Sequence, residues 1–105
     1  MRLGEAARLP SVEALVSALE YCFARYRTCR ALAAWTAARI LGEEKAPRVK
    51  SVRELLDWIE ERVSERVEEE AGDKAESIRR QRARAMIEAI LRTLVESLAA
   101  HYGEA

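Results

Sequence analysis

Six residues punctuate this chain: Gly4, Pro10, Gly42, Pro47, Gly72 and Gly103 are its only glycines and prolines. Between them run long stretches free of helix breakers, the longest being 11–41. Proline and glycine are the residues a helix interior tolerates least. A chain punctuated in this way folds into a few long helices joined at fixed points. Composition points the same way. Arg outnumbers Lys fifteen to three, Glu outnumbers Asp sixteen to two, and half the residues are hydrophobic. Arg, Glu, Ala and Leu enter a helix at least cost, and 105 residues suit one domain.

The first helix opens after Pro10, with Ser11 as its N-cap. Its apolar residues fall on two adjacent rows, Leu15–Cys22–Cys29–Thr36 and Leu19–Tyr26–Ala33–Ile40. The pattern predicts one helix over 12–41, stopped by Gly42, with a tail at 1–10 and a linker at 42–50 around Pro47. Ser51-Val52-Arg53-Glu54 is a capping box and starts the second helix. That helix carries the stripe Val52, Leu55, Leu56, Ile59, Val63 and Val67, with Trp58 at its edge. A turn at 71–73 follows, with Gly72 as the stop and Asp73 as the next N-cap. The third helix runs over 74–102, with Ala83, Ile87, Ile90, Leu91, Leu94, Val95, Leu98 and Tyr102 on its core face, and Gly103 ends it. The expected architecture is therefore all-α: a three-helix unit of long first helix, linker and antiparallel helical hairpin.

One conflict sits inside the first helix. At 100° per residue, Tyr21, Leu32 and Trp35 fall opposite Leu19 and Tyr26. Either the helix breaks around 27–30, or it stays straight and buries two faces. Since 11–41 holds no breaker, the straight reading is adopted. It makes Tyr21, Leu32 and Trp35 a protein interface and predicts packing as a homodimer. Trp58, beside Leu55, is assigned to the core.

Charge suggests a second surface. Lys and Arg together equal Asp and Glu at 18 each, which removes any global attraction to nucleic acid. Locally, Glu60, Glu61, Glu65, Glu68, Glu69 and Glu70 crowd the end of the second helix. Arg79, Arg80, Arg82 and Arg84 crowd the start of the third. Across a hairpin at Gly72–Asp73, Glu65 faces Arg80 and Glu61 faces Arg84, so these four are read as internal ion pairs. Arg79 and Arg82 remain to meet a phosphate backbone if the chain contacts nucleic acid.

Catalytic chemistry is not indicated. His101 is the single histidine, and no P-loop, HExxH or dinucleotide-binding glycine motif occurs. Cys22 and Cys29 would stand about 10 Å apart on a continuous helix, too far to bond to each other. They are read as small core residues in a reducing cytoplasm, with a bond to another chain as the alternative. No metal or cofactor site is expected. The longest uncharged stretch, 31–38, is too short for a membrane span. Absence of Asn, a single Gln and abundant ion-pair formers resemble a thermophile's composition. The reading is a non-catalytic, cytoplasmic adaptor or structural subunit that self-associates and joins a protein partner in a larger assembly. The alternative is a nucleic-acid-contacting small subunit, for example of an RNA-guided defence complex, using 79–84. That example is an analogy of size and build with no motif behind it.

Overall fold

A computed structural model describes residues 2–105. It corrects the three-helix unit. The chain is an all-α globule of five helices, without strands among the described residues: α1 (Leu3–Ala7), α2 (Val12–Arg25), α3 (Cys29–Leu41), α4 (Val52–Ala71) and α5 (Glu76–His101). The central element is α5, which packs against each of the other four helices. Its 26 residues make a rod of about 39 Å, nearly the 43 Å long axis of the molecule. Leu91, Leu94, Val95 and Leu98 of α5 meet Leu15 and Leu19 of α2, Ala33 and Ala37 of α3, and Leu55 and Ile59 of α4 in one core.

The break between α2 and α3 is the largest departure from the sequence reading. No glycine or proline causes it. Tyr26 turns to an extended backbone, φ −121° and ψ 123°. That turn lets its ring stack on Tyr102, with centroids 3.9 Å apart and planes within 7°. It also lets its hydroxyl donate to Glu104. Thr28 Oγ1 bonds Tyr102 Oη at 2.6 Å. The corner brings the Cα atoms of Cys22 and Cys29 to 6.1 Å, and the two cysteines form a disulfide. Tertiary contacts thus override local helix propensity across 26–28. The straight helix over 12–41 is gone. With it goes the second buried face that called for a homodimer, because Tyr21 belongs to α2 while Leu32 and Trp35 belong to α3.

Residues 2–10 are more than a tail. Leu3, Ala6 and Ala7 of α1 are buried in the core. Arg92 of α5 caps this short helix, its Nε donating to the Ala7 carbonyl at 2.9 Å and its Nη2 to the Leu9 carbonyl at 2.7 Å. The Gly4 amide donates to the Glu104 carbonyl at 2.8 Å. A side chain on Gly4 would run into the backbone of Ala105, so this approach of the two chain ends needs glycine.

The serine caps form as hydrogen bonds. Ser11 Oγ accepts from the Ala14 amide at 3.3 Å, and Ser51 Oγ from the Glu54 amide at 3.2 Å. Gly42 ends α3 at φ +71°, the left-handed conformation that favours glycine. The turn between α4 and α5 is built differently from the expected cap. Gly72 is right-handed, Ala75 rather than Asp73 occupies the N-cap position, and that end has no side-chain cap.

The segment 42–50 is pinned at both ends. At its start, Arg66 of α4 donates to the Leu41 carbonyl, and Glu43 lies 3.8 Å from Arg66 and 3.9 Å from Arg62. At its end, Arg30 of α3 donates to the Lys50 carbonyl at 3.3 Å. The linker therefore runs back beside α3, from its C-terminus to its N-terminus.

The disulfide closes a loop with a sequence separation of seven. Chain entropy for that loop predicts a contribution of about 2.5 kcal/mol. Urea unfolding of the oxidised protein and of Cys22→Ser/Cys29→Ser should differ by roughly this amount. Coincident curves would show that the aromatic contacts hold the corner unaided.

Candidate interaction surface

Trp35 is the most exposed large hydrophobic residue in the described chain, at 52%. It projects from the outer face of α3, whose inner face is buried through Ala33, Ala34, Ala37 and Ala38. The guanidinium of Arg39, one turn further on, lies 4.9 Å from the indole centroid. One turn back, Ala31 is exposed and opens onto a groove of about 520 Å³. The groove runs between the first turn of α3 and the returning linker. Arg27, Arg30, Arg48 and Lys50 line it, over a floor that includes Ala31, Pro47 and Val49, and no acidic side chain lines it.

This surface reflects a polarity hidden by the zero net charge. Residues 25–50 carry seven Lys and Arg against two Glu, whereas 51–72 carry three Arg against eight Asp and Glu. The basic segment forms the α2–α3 corner, α3 and the linker, and the acidic one forms α4. Among the described residues, no ion pair engages Arg27, Arg30, Arg39, Arg48 or Lys50. By contrast, Arg62, Arg66, Arg79, Arg80 and Arg92 all have glutamate partners.

The residues singled out in the sequence are distributed as follows. Tyr21 is partly exposed and its hydroxyl donates to Glu104 Oε2 at 3.1 Å. Leu32 is half-buried against the core, as is Trp58. Of the three proposed interface residues Trp35 is the most exposed, and Tyr21 is held by its bond to Glu104. Around the hairpin, Glu65 pairs with Arg62 at 3.5 Å and Glu61 with Arg62 at 2.9 Å, both within α4. Arg80 pairs with Glu76 of its own helix at 2.8 Å. Arg84 lines a shallow groove with Val12, Glu60 and Glu88. The ion pair that crosses from α4 to α5 is Glu68–Arg79 at 3.6 Å, and Arg79 also donates to the Gly72 carbonyl at 3.1 Å. Arg79 is thus tied to the turn, and Arg82 is exposed. Sequence reasoning passed over the basic groove because its four cations come from two segments, 27–30 and 48–50. Only the returning linker brings them together.

Both cysteines are consumed by the disulfide, and His101 packs edge-on against Tyr102 at 4.7 Å. Among the described residues, no group of three or more His, Cys, Asp or Glu could hold a metal ion. No helix of the described residues is long and apolar enough to cross a membrane. Comparison with protein families, with characterised proteins and with solved structures returns no match to this chain.

The α2–α3 corner is anchored by Glu104. Its carboxylate accepts from Tyr26 and Tyr21 and lies 3.4 Å from the Leu3 amide. The Tyr26 hydrogen bond is the main reason its carboxyl titrates below the ordinary value, helped by Tyr21, Leu3 and the nearby Arg25. The same bond pushes Tyr26 up to about 12, since ionised Tyr26 would face a carboxylate instead of donating to it. The two shifts act in opposite pH directions. A lowered carboxyl stabilises the fold above its unfolded value and loses that contribution as pH falls through the folded one. A raised phenol contributes below its unfolded value, about 10, and loses that contribution as pH climbs toward 12. The urea midpoint of the parent, minus that of Glu104→Gln, should therefore shrink in acid and again above about pH 10. Tyr26→Phe should remove the alkaline loss. A pH-independent difference would show that the Tyr26–Glu104 bond does not form in solution.

Proposed function

We propose that this chain is a non-catalytic interaction protein, a small adaptor or structural subunit of a larger assembly, and that it meets its partner through the outer face of α3. The observation that carries this is Trp35. A large aromatic held half-exposed at the centre of an open helix face is a typical interface anchor. The engagement of both cysteines in a bond leaves no thiol nucleophile and fits a binding role. The α4–α5 hairpin is a weaker contact surface, because Arg79 is occupied by Glu68 and the Gly72 carbonyl.

The setting proposed is the cytoplasm of an organism that lives hot. Intracellular disulfides persist in hyperthermophiles, and this chain combines one with an amide-poor composition. A thermal midpoint within the mesophilic range of about 45–65 °C would remove that setting.

A photo-crosslinking amino acid at position 35 tests the reading in the native host. It should give a discrete product that the same group at the exposed Glu96 does not give. Trp35→Ala should weaken that association by about 2 kcal/mol or more while shifting folding stability by about 0.5 kcal/mol or less. A product containing a second copy of the chain would identify self-association as the contact. No product at position 35 would overturn the reading.

A further inference from the structure

Four cations converge on the groove beside α3 with no carboxylate to answer them, in a chain that holds equal numbers of acids and bases. Gathering Arg27, Arg30, Arg48 and Lys50 costs electrostatic self-repulsion, which an anionic occupant would relieve. The glutamates that pair with the other arginines lie on α4 (Glu61, Glu65, Glu68), on α5 (Glu76, Glu88) and at the start of the linker (Glu43), none of them lining this groove, which keeps a net positive field.

We propose that the α3–linker face binds the phosphate backbone of single-stranded nucleic acid, with Trp35 stacking on a base. The proposal rests on the reading of this face as the contact surface. Two observations select this occupant. The cations lie along a groove, as a linear polyanion requires, rather than in a closed pocket. The exposed indole lies one turn beyond the groove on the same helix face, with Arg39 continuing the row of positive charge. Alternation of basic and aromatic side chains is how single strands are held without sequence preference, because every base offers a π-face. An acidic peptide would satisfy the cations and leave Trp35 without a stacking partner. A duplex would offer phosphates while keeping its bases stacked on one another.

The proposal needs the full oxidised protein and four fluorescein-labelled probes: twelve-nucleotide oligo(U) and oligo(dT), a twelve-base-pair duplex and a twelve-residue oligoglutamate. Four neutralised phosphates on a single strand predict a slope of about −3 in log affinity against log salt. That slope corresponds to a loss of about 50-fold between 50 and 200 mM sodium chloride. Arg27→Gln/Arg48→Gln should halve the slope. Trp35→Ala should weaken binding by roughly 5- to 150-fold with the slope unchanged. Arg82→Gln/Arg84→Gln should bind as the parent does. All the altered side chains are exposed, and unchanged circular dichroism melts will confirm folding. Failure to bind either single strand at 50 mM salt would overturn the proposal. So would oligoglutamate or duplex binding as tightly as the strands, or loss of binding in the Arg82/Arg84 variant. Crosslinking of a protein from position 35 without strand binding would sink this proposal alone. Loss of both would sink the reading it rests on as well.

Discussion

The corner between α2 and α3 organises the rest of the molecule. Without it, one rod about 45 Å long would occupy 12–41, longer than α5 and unable to wrap around it. With it, two shorter helices each lay one face on α5 and share its core. Two kinds of interaction hold the corner, and they act on different states. The disulfide restricts the unfolded chain locally. The Tyr26–Tyr102 stack and the Glu104 carboxylate act only in the folded state, tying Leu3, Tyr21 and Tyr26 to the residues just past the end of α5. The first group lowers the entropy of the loop that must close, and the second sets the direction in which it closes.

Fixing the corner also fixes the direction of α3, and therefore the path of the linker. From Leu41 the chain must return to start α4 beside the same core. Gly42 makes the reversal, and Arg62 and Arg66 anchor it to α4 through Glu43 and the Leu41 carbonyl. These two arginines lie on α4, inside the acidic segment, and draw the start of the linker toward that side. The rest of the linker carries its own cations back to Arg27 and Arg30. The basic groove is a consequence of this return path.

How much of this could be read from the residues depends on where the energy lies. The stops at Gly42 and Gly103 and the caps at Ser11 and Ser51 are local, and local chemistry reveals them. The hydrophobic stripes of α4 and α5 were legible for the same reason, since a helix fixes which residues share a face. The corner was not, because a stack between residues 76 positions apart and a bond from residue 26 to 104 have no local signature. Its one trace was the phase conflict of Tyr21, Leu32 and Trp35. With no Gly or Pro in 11–41, local chemistry favours a straight helix over the break. The separation of about 10 Å between Cys22 and Cys29 belongs to a continuous helix only; across the corner their Cα atoms stand 6.1 Å apart and the bond forms. Helix α1 was missed because its anchoring comes from Arg92 and Glu104, both remote in sequence.

The same distinction explains why the conspicuous arginine block is the less informative charge cluster. A run such as 79–84 is visible because its residues are neighbours along one helix, but neighbours along a helix point to different sides of it. Arg79 pairs with Glu68, Arg80 pairs with Glu76, and Arg84 lines a separate groove with Val12 and Glu60, so the run disperses its charge on folding. Arg27, Arg30, Arg48 and Lys50 are inconspicuous as two short pairs, yet folding concentrates them on one groove. Concentration in space determines an electrostatic field, and at separations beyond about 8–10 Å salt screens the exposed remainder. A neutral chain can therefore present a strongly cationic face when its basic segment folds onto itself and its acidic segment lies on another helix.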